Sequence, residues 1–389
     1  MERMTSRERL LAAHRGEPVD RPPIKLWGAD PWVQVVHPSY QPILDLALEW
    51  TDLVGSWSLP VNEFYTDPRL LEGRIHQEER PSRHENYREL HIFIDTPAGE
   101  LHRVYLAGTL PGLPGYEQEY LFKTVEDLDR WLSVPYQPAY APDGSDCASF
   151  FERDREMGDR GVVMVGFNHP MYALQSKTGS ETFALWSIDH RREIRRFLDE
   201  VFRRQMDYIR HLAEAGCGPI WGYVGPELCI PPLMSPRDFR EFVVEYDRQI
   251  ADYLHARGGL VWCHCHGNMD AVLEGFCEMG VDVLNPLEPP PWGNLELAEA
   301  RRRVGDRMTL EGNIEKDQLY RARPEEIRAQ VRAALTHGPL PDGRRFILCP
   351  SAGFMEHPTC SERLVENYRA YVEEAWRCCR ERVWERASI

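Results

Sequence analysis

Long apolar runs, basic patches and cysteine pairs at C-x-x-C spacing are all missing from this sequence. No stretch approaches the ~18 to 20 consecutive apolar residues of a membrane span, so none is expected. The 62 acidic residues outnumber the 46 basic ones, giving a net charge of −16. No local basic cluster is dense enough to reverse that field, which argues against a nucleic-acid partner. The N-terminal stretch MERMTSRERLLAAHRG lacks the uninterrupted apolar segment of a secretory leader. Thr5 and Glu8, at capping-box spacing ahead of Leu10 and Leu11, read as a helix start instead. A soluble, cytoplasmic protein is expected. No C-x-x-C occurs, which excludes a Cys-rich zinc finger, and the 10 cysteines are scattered through a chain long enough to build a core without disulfides. They read as reduced thiols, with the adjacent Cys378 and Cys379 as one packed and one surface thiol. Repeats and low-complexity segments are absent too. With 42% hydrophobic residues, disorder is excluded.

What the sequence does contain is a rhythm of short β-like runs followed by amphipathic helical patterns. The runs are residues 22–27, 52–59, 161–167, 219–224, 259–266, 281–286, 307–313 and 346–350. Helical stretches between them are punctuated by caps. SPRDFREFVVEYDRQIADYLHARG opens with Ser235 as N-cap and Pro236 at N1 and closes on Gly258, and three later stretches also end at a glycine. Strands alternating with helices predict parallel βαβ units, and eight of them predict a (β/α)8 TIM barrel, with a doubly wound open sheet as the alternative. The chain reads as one barrel domain over 1–389. Residues 60–160, between the second and third strands, read as an inserted lid or hairpin subdomain, or else as a stabilising edge or dimer contact. Within them RELHIFIDTPAGELHRVYLA predicts a hairpin turning at Pro97 to Gly99, and a short helix is expected from Thr124.

In a barrel of this kind function resides at the C-terminal strand ends. Those ends carry Asn168 and His169, then Glu227, then His264, His266 and Asn268. Next come Asn285 and Glu288, then Glu311, Asn313 and Glu315, and finally Ser351, Glu356 and His357. Six ends bearing carboxylates and imidazoles predict a concentrated polar site. His264 and His266 share one side of their strand by alternation, while Cys263 and Cys265 take the other. Two imidazoles about 6.5 to 7 Å apart along a strand suit a shared metal ion with neighbouring carboxylates, or metal-free acid–base work. Trp27, Trp57, Tyr223 and Trp292 near the same ends suit an apolar or ring-bearing substrate, or ordinary packing.

RGEPVDRPP, PLMSPRDFREF, HCHG, GVDVLNPLEPP, LEGNIE and EHPT, in this order, resemble the uroporphyrinogen decarboxylase superfamily. The resemblance covers nearly the whole chain and is strongest from residue 218 onward. It implies a (β/α)8 barrel. It also implies either decarboxylation of a porphyrinogen or zinc-dependent methyl transfer between a corrinoid protein and a thiol such as coenzyme M. Three departures matter. An arginine-rich segment of the decarboxylase type is replaced by GADPWVQVV, and the acidic residue after the second strand is not evident in GSWSLPV. Without arginines to hold substrate carboxylates, a porphyrinogen is a poor ligand. Where the methyltransferase pattern has HxCG and a later Cys, this chain has His266 and Ala352, with Cys349 three residues early. A harder N/O site is therefore implied in place of a thiolate-rich one.

The leading expectation is a metal-dependent methyl or alkyl transferase acting with a thiol or corrinoid. Its expected zinc or other divalent metal ligands are His264, His266 and Glu288. Glu227, Glu356 and His169 are its expected catalytic residues, and Trp27, Asn168, Tyr223, Asn285, Glu311 and Asn313 its substrate contacts. A metal-free decarboxylase or lyase of a small carboxylic acid is the second reading, and a non-catalytic corrinoid or tetrapyrrole binder the third. A corrinoid protein and a second copy of the chain are the expected macromolecular partners.

Overall fold

Seven of the eight apolar runs become strands of one parallel sheet. The computed structural model describes residues 3–110 and 113–388, so parts of the expected 1–389 domain (residues 1, 2 and 389) and of the 60–160 segment (residues 111 and 112) lie outside the described residues. After β1 (Leu53–Trp57) come β2 (Ile75–Pro81), β3 (Tyr87–Thr96), β4 (Gly99–Gly108) and β5 (Tyr116–Glu119), which pair antiparallel in that order. The parallel sheet resumes with β6 (Gly161–Gly166), β7 (Ile220–Val224), β8 (Leu260–His264), β9 (Val283–Asn285), β10 (Thr309–Ile314) and β11 (Phe346–Pro350). Its order, β1-β6-β7-β8-β9-β10-β11, follows the chain without the reversal of a doubly wound sheet, and that alternative is excluded. All five residues of β8 and of β11 are buried, as strands covered on both faces require. The architecture is α/β with a curled, TIM-like parallel sheet.

The run at 22–27 departs from expectation. It forms only one parallel bridge, Ile24 to Leu348, because Pro22 and Pro23 bring no N–H to a ladder. Lys25 N nevertheless donates to Leu348 O (2.8 Å) and Leu348 N to Pro23 O (2.9 Å), while Asp52 N donates to Ile24 O (2.7 Å). The segment thus touches β11 on one side and the residue before β1 on the other. Asp52 fixes that junction: its buried carboxylate accepts from Arg9 Nη1 (2.7 Å), Arg21 Nη1 (2.7 Å) and Ile24 N (2.9 Å). Arg9 belongs to the helix Ser6–Arg15, whose capping box is Thr5 with Glu8.

The hairpin turns where the sequence predicts, Thr96 pairing with Gly99, and the next helix is Glu126–Leu132. The stretch expected as one helix from Ser235 to Gly258 is instead interrupted. An α turn Pro236–Phe239, capped by Ser235, passes through a π turn at Arg240–Val244 into the helix Glu245–His255. In the helix that follows, Asp247 lies on the buried face with Ile250 and Leu254. Gly338, after the helix Pro324–His337, is not left-handed; a Cβ there would stand 2.4 Å from the Phe346 ring, so close packing demands the glycine. No described helix is long and apolar enough to cross a membrane.

Replacing Asp52 with Ala leaves two guanidinium groups without their shared counter-ion. The expected cost is about 3 to 5 kcal/mol, read as a lower urea midpoint at unchanged slope. Burial pushes the Asp52 carboxyl up, but Arg21 and Arg9 outweigh it and hold it below its ordinary range. A group depressed in the folded state stabilises above its unfolded pKa and loses that contribution as pH falls through the folded one. The wild type's acid destabilisation should therefore be shallower in Asp52→Ala.

Candidate active site

The site grows out of an ion pair inside the curled sheet. Lys25 Nζ lies 2.7 Å from Glu311 Oε1, with Glu311 at 0% exposure. The remaining capacity of Glu311 is taken by Trp262 Nε1 (3.0 Å) and Asn285 Nδ2 (3.1 Å). Glu311 was expected to bind substrate; its oxygens are instead committed to this interior network. With its amide nitrogen held by Glu311, Asn285 must turn Oδ1 the other way, where it accepts from His264 Nδ1 (2.6 Å). The amide orientation thereby fixes the tautomer, with the proton on Nδ1 and a lone pair on Nε2 of His264.

His266 stands with its ring centroid 4.4 Å from that of His264, the planes at 88°. Its Nδ1 donates to Glu288 Oε1 (2.8 Å), and Gly267 N donates to Glu288 Oε2 (2.9 Å). Glu288 therefore orients an imidazole with one oxygen and pins the loop with the other. Glu315, bonded by Ser351 Oγ (2.8 Å), is within hydrogen-bonding reach of Glu288. Burial lowers His264 to about 4, helped by the charge of His266. For His266 burial acts downward as well, but Glu288 outweighs it and the net shift is upward. Burial raises Glu315 and Glu227; in Glu315 the charge of Glu288 adds to it.

The other expected residues separate into groups. Trp27 packs on His264 (4.6 Å) and Trp262 (5.3 Å), and it lines a cavity of about 440 Å³ together with Asn168, Tyr223, Tyr65, Phe167 and Trp262. Pro60, Val61 and Tyr65 bring the start of the 60–160 segment to that cavity, and no charged side chain lines it. Asn313 and Trp292 line a different cavity of about 550 Å³, beside Glu315. Trp57 is core, its ring against Phe150 (5.4 Å). Glu356 is exposed and bonds Lys316 Nζ (2.6 Å); no bond ties it to the imidazoles. Cys349 is buried beside Lys25 and Glu311, inside the sheet rather than at its end.

His169 is fully buried, with Nδ1 3.2 Å from Asp247 Oδ2 but misaligned for a hydrogen bond. Neither ring nitrogen of His169, neither oxygen of Asp247, nor Tyr223 Oη, nor Glu227 Oε2 has a hydrogen-bond partner among the described residues. Sequence reasoning missed Asp247 because it sits on a helix, away from the strand ends. It also missed Lys25, although a lysine inside PPIKLW is itself a signal of a buried counter-ion.

Imidazole NMR across pH 4 to 8 checks the assignment. His264 should stay neutral until about pH 4, while His266 titrates above 6.5. Because the unfolded His264 ring takes a proton near 6.5, its share of stability is present above that pH and lost as pH falls toward 4. The reverse order of titration would remove the roles given to the two rings.

A family model described as uroporphyrinogen decarboxylase (URO-D) matches residues 160–375. The chain is 27% identical to a uroporphyrinogen decarboxylase of Hydrogenovibrio crunogenus over 206 residues, 46% of this chain and 51% of the relative. It is 33% identical to the enzyme of that name from Photorhabdus laumondii over 116 residues, 26% of this chain and 28% of the relative. To the methylcobamide:CoM methyltransferase MtaA of Methanosarcina barkeri it is 24% identical over 192 residues, 49% and 52% of the two chains. The chain thus spans about half the length, or less, of these curated relatives. A solved methyltransferase from Methanosarcina mazei has the same fold, with a TM-score of 0.59 over 96% of this chain and 99% of that one at 18% identity.

Proposed function

This chain belongs to the uroporphyrinogen decarboxylase family, and we propose that it is a methyl or alkyl transferase of that family, moving a group between a small ring-bearing molecule and a thiol or corrinoid. The observation that carries the reading is the uncharged, aromatic cavity of about 440 Å³ whose Trp27 and Trp262 walls pack on His264. A polycarboxylate porphyrinogen needs cations, and neither this cavity nor the one beside Glu315 has an arginine or lysine in its wall. A neutral ring between Trp27, Tyr223 and Phe167 needs none. The activity for which one relative is named, methyl transfer between a cobamide and CoM, supports the same class of reaction. In this reading residues 22–27 serve as the eighth stave of a closed barrel, and the 60–160 segment is a subdomain beside its mouth.

The side chains present suit a divalent metal such as zinc. His264 and His266 each spend Nδ1 on an orienting partner, the outer-shell arrangement that leaves Nε2 for a metal. Glu227, with a buried and unpartnered Oε2, is the better third donor, because Glu288 is committed to His266 and Gly267. The three mouth donors do not lie within 4.8 Å of one another, so binding would draw them together. The ion, when bound, would supply Lewis acidity to lower the pKa of a thiol or hydroxyl. The chain's own acid–base groups form a series, His266 bonded to Glu288 with Glu315 close by, and the His169 ring packs against that of Tyr223 (5.2 Å). That series also favours a second reading, a metal-free decarboxylase or lyase with His266 as proton donor.

Zinc stoichiometry should fall by one equivalent in the His264→Ala, His266→Ala double variant, and Asn285→Ala should weaken that site by about 10 to 100-fold. Equal zinc uptake by wild type and double variant moves the histidines to acid–base work. Zinc-loaded enzyme should demethylate methylcobalamin in the presence of a thiol, followed by the corrinoid spectrum; no turnover with the double variant is expected. Anaerobic incubation with uroporphyrinogen should give no product above background, and turnover there would overturn the substrate reading.

A further inference from the structure

The segment that leads into β6 meets the segment that leads into β7 at a cluster the mouth does not use. Asp146 and Cys147 end the 3-10 turn Ser145–Cys147; His211 lies in the last turn of the helix Arg191–Glu214, and Cys217 in the link to β7. Gly144 (φ +70°) lets the turn pass so close to that helix end that a Cβ would stand 3.0 Å from Ala215 Cβ. His211 Nε2 faces both oxygens of Asp146 (2.9 and 3.0 Å) and lies 3.9 Å from Cys147 Sγ. Cys147 Sγ is 3.5 Å from Asp146 Oδ1. Among the described residues this is the one triplet of such donors within 4.8 Å of one another. The Cys217 thiol neighbours that of Cys147 and, standing outside the triplet, must swing inward to serve as a fourth donor.

Zinc bonds of about 2.0 Å to nitrogen or oxygen and about 2.3 Å to sulfur give tetrahedron edges of roughly 3.3 to 3.8 Å. The three measured edges, 2.9, 3.5 and 3.9 Å, bracket that range, so an ion enters with shifts of a few tenths of an ångström. A histidine–aspartate hydrogen bond accounts for only two of the four groups. Two sulfurs beside them, buried and drawn from separate segments, make the donor set that a borderline-soft cation takes. Ala141 N holds Asp146 Oδ2 (3.0 Å), and Tyr140 stacks on the His211 ring (4.8 Å, 11°), so both ligands are oriented from behind.

We propose that Asp146, Cys147, His211 and Cys217 bind one zinc-class divalent ion at a closed, four-coordinate structural site, separate from the mouth. With four protein donors there is no open position for chemistry. The ion clips the end of the 60–160 segment to the barrel. Tyr140 lies 6.1 Å from Tyr208, which lines the substrate cavity, so the clip also braces that wall.

Cobalt(II) added anaerobically to the full chain, stripped of metal, reads this site directly. A thiolate ligand gives a near-ultraviolet sulfur-to-cobalt band that the nitrogen and oxygen donors of the mouth do not. The band is expected in wild type, unchanged in the His264→Ala, His266→Ala double variant, and lost in Cys147→Ser with Cys217→Ser. Should the serine variant not fold, His211→Gln, which removes a partly exposed donor, is the second probe. It should weaken cobalt binding more than about 100-fold, beyond the usual loss for an outer-shell partner. A wild type without the band, a band that survives loss of both cysteines, one that vanishes with the mouth histidines, or wild-type affinity in His211→Gln would each overturn the proposal. The mouth metal fails separately, through stoichiometry in the double variant.

Discussion

The ammonium of Lys25, enclosed by the sheet, has Glu311 as its counter-ion, and an ion pair so placed is tolerable only if every remaining lone pair is also met. Burial pushes Lys25 down, but Glu311 outweighs it and the charge is kept. Trp262 and Asn285 complete the coordination of the carboxylate, and in doing so they lose their freedom. Asn285 cannot flip without losing its bond to Glu311, and His264 cannot change tautomer without an Asn285 flip. The demand of one buried charge thus propagates to the His264 imidazole, which packs on Trp27 and Trp262 of the cavity wall. Lys25 also lies in the segment that is hydrogen-bonded to β11 on one side and to Asp52, just before β1, on the other.

How far this was legible in the sequence differs between fold and site. Parallel strands buried on both faces announce themselves as apolar runs, and 161–167, 219–224, 259–266 and 346–350 each yield a strand within them. Residues 22–27 look the same in composition, yet two prolines deny them a ladder. At the strand ends, the rule points to His264, His266, Asn285 and Glu288, which the structure brings together, because alternation and topology are local. Nothing in LEGNIE tells that the Glu311 carboxylate points into the sheet, where Lys25, Trp262 and Asn285 hold it. Asp247 is hidden for another reason. It shares the apolar stripe of Val243, Ile250 and Leu254 on a helix, where a search confined to strand ends does not look. The meeting of Cys147 with Cys217 is invisible because the residues between them fold into separate elements.

Family membership and local chemistry point in somewhat different directions. Much of the similarity is to proteins named as uroporphyrinogen decarboxylases. The cavity beside His264 is lined by aromatic, aliphatic and small polar side chains. The acid–base groups lie elsewhere, where His266 is bonded to Glu288 with Glu315 close by. A binding region without ions next to a proton-holding region with several is an arrangement in which recognition and reaction can vary independently.

The absence of fixed charge from the cavity wall also sets how a ligand arrives. A net charge of −16 creates a field that slows anions and draws cations toward the surface, and salt screens that field within about 10 Å. A neutral ring feels neither the field nor its screening. Its encounter rate is governed by diffusion and by the width of the entrance, and ionic strength leaves capture unaltered while shifting that of any charged competitor.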